Sequence, residues 1–402
     1  MQNKRQVENF AKKYTKIFLL IVLAFFVAWI ATSYTKSEIA DRAIVLGIGI
    51  DMQQENFVVT AEVISPNEGS DSGSASATSK LLTGVGQTLP LAIQDIFQTS
   101  GKNPSLGQTG IILLGEGMNS QELKHMLSYF ILSDAFKDGV TLATCKGSAK
   151  AIFESTSPVD SMVSFALQTI IQKSGKKTNS TSNVLQNFVE NQTRHSKASF
   201  LSQVAFVEDA NVKANKNKDN DKKTGVYDCS QVSVFKDGFY VDTLDRDETR
   251  GFVMLDESKT YDSFVVENAQ SVIGTKDKIS VGIVSKKVKP KIYFEGEKIV
   301  AQYDLNMKVR RMRTDVTGNV MDLLPKVPSL IDKQIEQSVS SQVSTLVQKA
   351  FDKSKQTNCD FFGVADAMYK NYGKEWEVFQ KQNPDYLREV EFKINLQVHD
   401  LN

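Results

Sequence analysis

The chain has 402 residues, 41% of them hydrophobic, and its 48 Lys plus Arg against 47 Asp plus Glu give a formal net charge of +1. Five of those bases and one acid fall in residues 1–16, so the remainder carries 43 bases against 46 acids and has no electrostatic footprint for nucleic acid. Cys145, Cys229 and Cys359 are too few and too far apart for a disulfide framework or a zinc site; a single pair or unpaired thiols both fit.

Residues 1–16 read as a basic cytoplasmic tail ending at Lys16, and residues 17–35 as an apolar run. From Ile17 to Ala31 there is no charge, and eleven of the fifteen residues are Ile, Leu, Val or Phe. At about −0.3 to −0.6 kcal/mol each, these favour insertion into a bilayer by roughly 3–6 kcal/mol. Trp29 and Tyr34 stand at the outer end, where amphipathic rings settle among headgroups. The positive flank predicts a signal-anchor, a single-pass transmembrane helix with the N-terminus inside and residues 36–402 outside. The competing reading is a cleaved signal ending at Ala31-Thr32-Ser33. A lipoprotein leader would need a cysteine at this place, and the first cysteine is Cys145.

Beyond the run, residues 43–50 and 56–64 read as strands around a polar turn at Gln53–Glu55. A Ser/Gly/Ala-rich loop follows at 65–79. Helices are predicted near 89–99, 121–132, 148–154, 159–172 and 182–191, with strands at 80–86, 109–117, 140–145 and 199–209. This makes residues 36–208 an N-terminal α+β domain. Residues 209–225 read as a polar linker or loop, and 226–260 as a small middle β region with a hairpin turning at Asp237-Gly238. Residues 261–402 read as a C-terminal α+β domain with strands at 278–284, 288–294 and 298–312. Val327, Ile331, Ile335, Val339, Val343, Val347 and Phe351 then recur every four residues, the stripe of a long amphipathic helix. A further helix is capped by Asp360, and the alternation of Val390, Phe392, Ile394, Leu396 and Val398 marks a last strand. The expected class is α+β: an anchored ectodomain of two to three mixed domains with antiparallel or mixed sheets.

No catalytic, cofactor or metal cluster is visible. His125, His195 and His399 have no metal-ligand spacing. Ser33-x-x-Lys36, Ser65-x-Asn67 and Lys223-Thr224-Gly225 follow the order of the acyl-serine penicillin-binding motifs. Their setting argues against that chemistry: Ser33 leaves the apolar run, and Lys223 lies in the most polar stretch of the chain. The bases Lys308, Arg310, Arg311 and Arg313 read as a solvated strand face rather than a site for anions.

Five segments together resemble the Ger(x)C family, the C subunits of spore nutrient-germinant receptors. They are "EIADRAIVLGIGID" with Asp41, Arg42, Gly47, Gly49 and Asp51, then "GVGQTLPLAIQDI", and "SLGQTGIILLGEGM" with Gly115 and Glu116. "RDETRGFVML" follows with Glu248, Arg250 and Gly251, and "CDFFGVADAMYKNYGKEWE" with Asp360, Phe362, Gly363 and Trp376. Two departures stand out. The lipid-carrying cysteine of the family is absent, and Ala365 and Gly373 stand where glycine and proline are common in the last segment. The resemblance implies three successive α+β domains and a non-enzymatic, cofactor-free subunit on the outer face of the spore inner membrane. It implies A and B subunits as partners in a complex that responds to nutrients, and leaves direct nutrient binding by this subunit open. A surface-anchored solute-binding protein acting alone is the alternative.

Overall fold

The computed structural model describes residues 17–29, 42–64, 79–118, 120–133, 135–156, 160–176, 181–208, 225–259, 262–270, 276–314 and 328–401. Lys16, Tyr34 and Asp41, the loop at 65–78 and the polar stretch at 209–224 lie outside the described residues, as do Ser33, Lys36, Ser65, Lys223 and Thr224 of the acyl-serine pattern.

Residues 17–29 form α1. The chain then runs through β1 (Arg42–Gln53), β2 (Asn56–Ile64), β3 (Ser79–Gly86), α2 (Leu89–Ser100), β4 (Asn103–Ser105), β5 (Ile111–Leu114), α3 (Ser120–Leu132) and β6 (Thr141–Cys145). Next come α4 (Ala149–Phe153), α5 (Val163–Gly175), β7 (Asn183–Val184), α6 (Leu185–Thr193), β8 (Ala198–Glu208), β9 (Gly225–Lys236) and β10 (Phe239–Leu244). These strands make one sheet in the order β10-β9-β8-β6-β5-β1-β2-β3, with β4 added to β1 and β7 to β6. The centre, β8-β6-β5-β1, is parallel, and both flanks are antiparallel. Side chains alternate across a strand, so Ile112 and Leu114 of β5 pack with α2, α3 and α6, while Ile111 and Leu113 pack with α4 and α5. A strand covered on both faces reads as a continuous apolar run, as "IILL" does. The β9–β10 hairpin turns where expected: Asp237 and Gly238 both have positive φ, the backbone of a two-residue type I′ turn.

α7 (Arg246–Met254) follows, and then a second sheet of β11 (Ser263–Gln270), β12 (Lys276–Glu295), β13 (Lys298–Thr314) and, after the helices α8 (Pro328–Thr357), α9 (Val364–Tyr372) and α10 (Lys374–Gln382), β14 (Glu391–Asp400). Its order is β11-β12-β13-β14, antiparallel except that β14 runs parallel to β13. The predicted stripe of α8 lies inside: Ile335, Val339, Val343, Val347 and Phe351 are buried against Val281, Ala301, Leu305, Met307 and Val309. The opposite face of this sheet is polar, with Lys287, Lys289, Lys291, Lys308 and Arg310 exposed. The molecule is therefore α+β with mixed sheets and a long amphipathic helix near the C-terminus.

Three elements differ from the sequence expectation. The segment read as a middle β region supplies β9 and β10 to the first sheet and then turns into α7, which packs on α8. The two strands read at 278–284 and 288–294 are one strand, β12, with register shifts at Ser280/Val281 and Ile283/Ser285. Ser285-Lys286-Lys287 looks like a polar break, but Lys286 turns inward and donates to the Val253 and Met254 carbonyls (3.0 and 2.8 Å) at the end of α7. There a cation caps the C-terminal carbonyls of α7, of which Val253 also accepts from the Asp256 N–H (3.1 Å).

Candidate functional site

The motif residues of the first sheet gather at the carboxyl edge of β1, β5 and β6. The Asp51 carboxylate accepts from the backbone N–H of Ala149 (2.7 Å) and Lys150 (2.9 Å) and from the Ser148 hydroxyl (2.9 Å), so it caps α4. The Gly115 N–H donates to the Ile50 carbonyl (2.8 Å), and a Cβ at Gly115 would overlap Asp51 Oδ1. Glu116 Oε2 accepts from the Gly147 N–H, while the Glu116 N–H donates to the Gly147 carbonyl (both 2.8 Å). At Gly47 and Gly49 a side chain would run into Ser164 of α5 and Ala149 and Phe153 of α4, so these glycines let the helices lie on β1. Arg42 opens β1 and is exposed.

A residue that sequence reasoning missed works in the same way. Glu62 of β2, 1% exposed, accepts from Val163 N (3.0 Å), Ser164 N (2.7 Å) and Ser79 Oγ (2.8 Å), matching the first N–H groups of α5. The signal was available: a lone acid in the apolar run "NFVVTAEVI" on a strand buried along nearly its whole length.

In the second half, Asp245 and Glu248 form a reciprocal capping box that starts α7. Arg250 pairs with Asp262 (3.0 Å), donates to the Ser263 carbonyl and lies over the Phe264 ring. A Cβ at Gly251 would overlap the Leu346 carbonyl of α8, so this glycine sets how closely the two helices approach. Asp360 is 2% exposed and accepts from Val364 N (2.9 Å), Ala365 N (2.7 Å) and Tyr386 Oη (2.9 Å). It caps α9 from outside the helix, because Gly363 occupies the N-cap position in the left-handed region at φ 70°. Burial pushes the Asp360 carboxyl above its usual range, and the three donors pull against that shift. Trp376 is fully buried, stacked on Phe379 and edge-on to Tyr386.

The last two motifs converge on a cleft of about 440 Å³ between the sheets. Asp360, Phe362 and Gly363 line it from one side; Phe252 of α7 and Phe200 of β8 meet edge-to-face beside them, with ring centroids 5.0 Å apart. Asn191 and Arg194, at the end of α6, form the opposite wall. Next to the cleft the halves are tied by Ser196, whose N–H and hydroxyl donate to Asp366 (3.2 and 2.7 Å), and by His195 stacked on Tyr369 at 3.6 Å. Lys236 also donates to the Asn358 carbonyl (2.7 Å), and Lys353 of α8 reaches Asp242 of β10 (2.7 Å). A second cavity, of about 310 Å³, opens at the carboxyl ends of β5 and β6 beside Gly115, Glu116 and Thr144. The structure thus brings Asp360, Phe362 and Gly363 to one cleft and Gly115 and Glu116 to the other.

Among the described residues no group of three or more His, Cys, Asp and Glu is placed to hold a metal ion. The three cysteines are buried and free. Burial pushes their thiols up, Cys229 and Cys359 to about 12 and Cys145 further, so none supplies a thiolate near neutral pH. In α1 the side chains of Ile17 and Trp29 are exposed. At about 1.5 Å per residue its described part is about 20 Å long, against a hydrocarbon core of about 30 Å. Among the described residues no helix is long and apolar enough to cross a membrane.

Two family profiles cover the chain in order. The one described as "Spore germination protein N-terminal domain" matches residues 35–205, and the one described as "Spore germination B3/ GerAC like, C-terminal" matches residues 230–399. Spore germination protein KC of Bacillus subtilis (strain 168) is 20% identical over 406 residues, spanning 96% of this chain and 95% of that protein. The crystal structure of the GerBC protein is similar with a TM-score of 0.53 and 17% identity, over 89% of this chain and 97% of that chain. At that identity the likeness speaks for the fold.

Proposed function

The chain belongs to the Ger(x)C family, the C subunits of spore germinant receptors, and from that premise we propose that it is a non-enzymatic subunit that couples or scaffolds a nutrient-responsive complex with A and B subunits. The observation that carries this reading is the ordered match of both family domains to the two halves of the chain. The geometry supports it: the motif carboxylates Asp51 and Asp360 are spent on helix caps, and the motif glycines on helix approach. Deleting the gene in a strain without a related C subunit is expected to abolish germination with particular nutrients and leave vegetative growth intact. Normal germination of that strain would refute the reading. Recovery of A- and B-type subunits with the tagged protein from spore membranes tests the partnership separately.

The same reading places the chain at the spore inner membrane, with Lys16 at the cytoplasmic end and Trp29 and Tyr34 at the outer edge of an anchoring helix built on α1. This helix takes the place of the missing lipid. Intact mass of the membrane-extracted protein is expected to include residues 1–33; their loss would show cleavage at Ala31-Thr32-Ser33.

A further inference from the structure

We propose that the cleft between the two sheets is a binding site for a small zwitterion, one carboxylate and one ammonium on an apolar body. The inference goes beyond the receptor reading and does not depend on it.

The walls carry opposite charges. Arg194, from the α6 side, presents a guanidinium with no ion pair or side-chain hydrogen bond among the described residues. From the α7 side, Asp256 uses Oδ1 to accept from the Ser258 N–H and hydroxyl, which leaves Oδ2 open. Both side chains are at the solvent rim and available to a charged ligand, Asp256 in the field of Lys259 and Lys286. Between rim and floor lies Asn191. It is 8% exposed, lines the cleft, and its side-chain amide has no hydrogen-bond partner among the described residues. Its amide opens into the cleft, where a ligand offering both a donor and an acceptor pairs with it. The floor is aromatic, with Phe200, Phe252 and Phe362 partly open to the cleft.

These features select among ligand classes. A simple amine leaves Arg194 unmatched, and a simple carboxylate adds a further negative charge beside Asp256, Glu190 and Asp366. An amino acid with an aliphatic side chain matches all three: carboxylate to Arg194, ammonium to Asp256, side chain to the phenyl floor. The volume is in the range that takes a small molecule with a few waters. Because the walls come from different sheets, such a ligand also bridges the two halves of the molecule.

The test is isothermal titration of the detergent-solubilised full chain with L-leucine and its two deletion analogues, 3-methylbutylamine and 4-methylpentanoate. Saturable leucine binding is expected, with each analogue at least about tenfold weaker, a difference of about 1.4 kcal/mol. Arg194→Gln is expected to weaken leucine and 4-methylpentanoate about tenfold and leave 3-methylbutylamine unchanged. Arg194 is exposed, so this variant keeps the fold, which an unchanged urea midpoint verifies. Absence of saturable leucine binding, analogues as tight as leucine, or an Arg194→Gln chain that binds leucine normally would each overturn the proposal. Loss of binding activity here, in a strain whose deletion still blocks germination, would remove this inference and leave the receptor reading standing.

Discussion

In the first sheet β5 lies between helices on both faces, and its four residues are at most 2% exposed. In the second sheet β13 faces α8 on one side and water on the other, so Leu305, Met307 and Val309 are buried while Asn306, Lys308 and Arg310 are exposed. The difference has a consequence for polar groups. When helices dock end-on against a doubly covered sheet, their first N–H groups enter the interior and need acceptors there. Asp51 and Glu62 are those acceptors, each projecting from a strand to the start of a helix on the same face. The second sheet keeps most charge on its open face and relies on packed rings and aliphatic groups, with Asp360 and Lys286 as its buried exceptions.

The largest test of this contrast is Trp376→Ala, expected to destabilise the second half by about 3–5 kcal/mol, since it empties a fully buried aromatic site. Urea unfolding measures it; a loss under about 1 kcal/mol would mean that this half does not depend on its rings. Glu62→Gln probes the first half. An amide oxygen replaces one acceptor, but the new NH₂ faces a backbone N–H, so about 2–3 kcal/mol is expected, read as faster hydrogen exchange in α5. Unchanged exchange would break the claim that buried carboxylates hold this half together.

Lys286 gives a pH test. Burial lowers its ammonium from 10.5 to about 8, with nearby acids opposing the shift. Below about pH 8 both states are charged and the folded state bears the full cost of the buried cation. Between about 8 and 10.5 the unfolded chain binds more protons, so this group's contribution to stability rises with pH. From about pH 7 to about pH 9.5 the gain is about 2 kcal/mol, and Lys286→Met should lack it. Equal pH profiles for the two proteins would show that the ammonium is not buried as described. The smallest effect belongs to the exposed pair Lys349–Asp247 between α8 and α7: Lys349→Met should leave the urea midpoint unchanged, because water and salt screen such a pair.

The sequence was most legible where periodicity is strong and local. β2 starts and ends at the residues predicted, the stripe of α8 is the face that is buried, and the Asp237-Gly238 turn has the expected backbone. α7 was missed because "RDETRGFVM" is largely polar and its apolar residues are few, yet the Asp245…Glu248 capping box was a usable start signal. The family motifs marked Asp51, Gly251 and Asp360 as positions of interest but not what they touch. Their partners, α4, Leu346 and Tyr386, lie 26 to 99 residues away in sequence.

Backbone alternation, caps and turns depend on neighbours within a few residues, and so the chain's own order determined its strands, its long helix and its α+β class. Which strands adjoin was decided only by the tertiary structure: β9 and β10 close one edge of the first sheet, and β14 returns from the far end of the chain to lie parallel to β13. The cleft is of the same kind. Asn191 and Arg194 are followed by more than 50 residues before Phe252 and more than 160 before Asp360, and only the docking of the two sheets brings them to one wall-to-wall site. Burial, too, is set there: the same lysine type is solvated at Lys287 and enclosed at Lys286, because the strand's pleat turns one to water and the other toward α7.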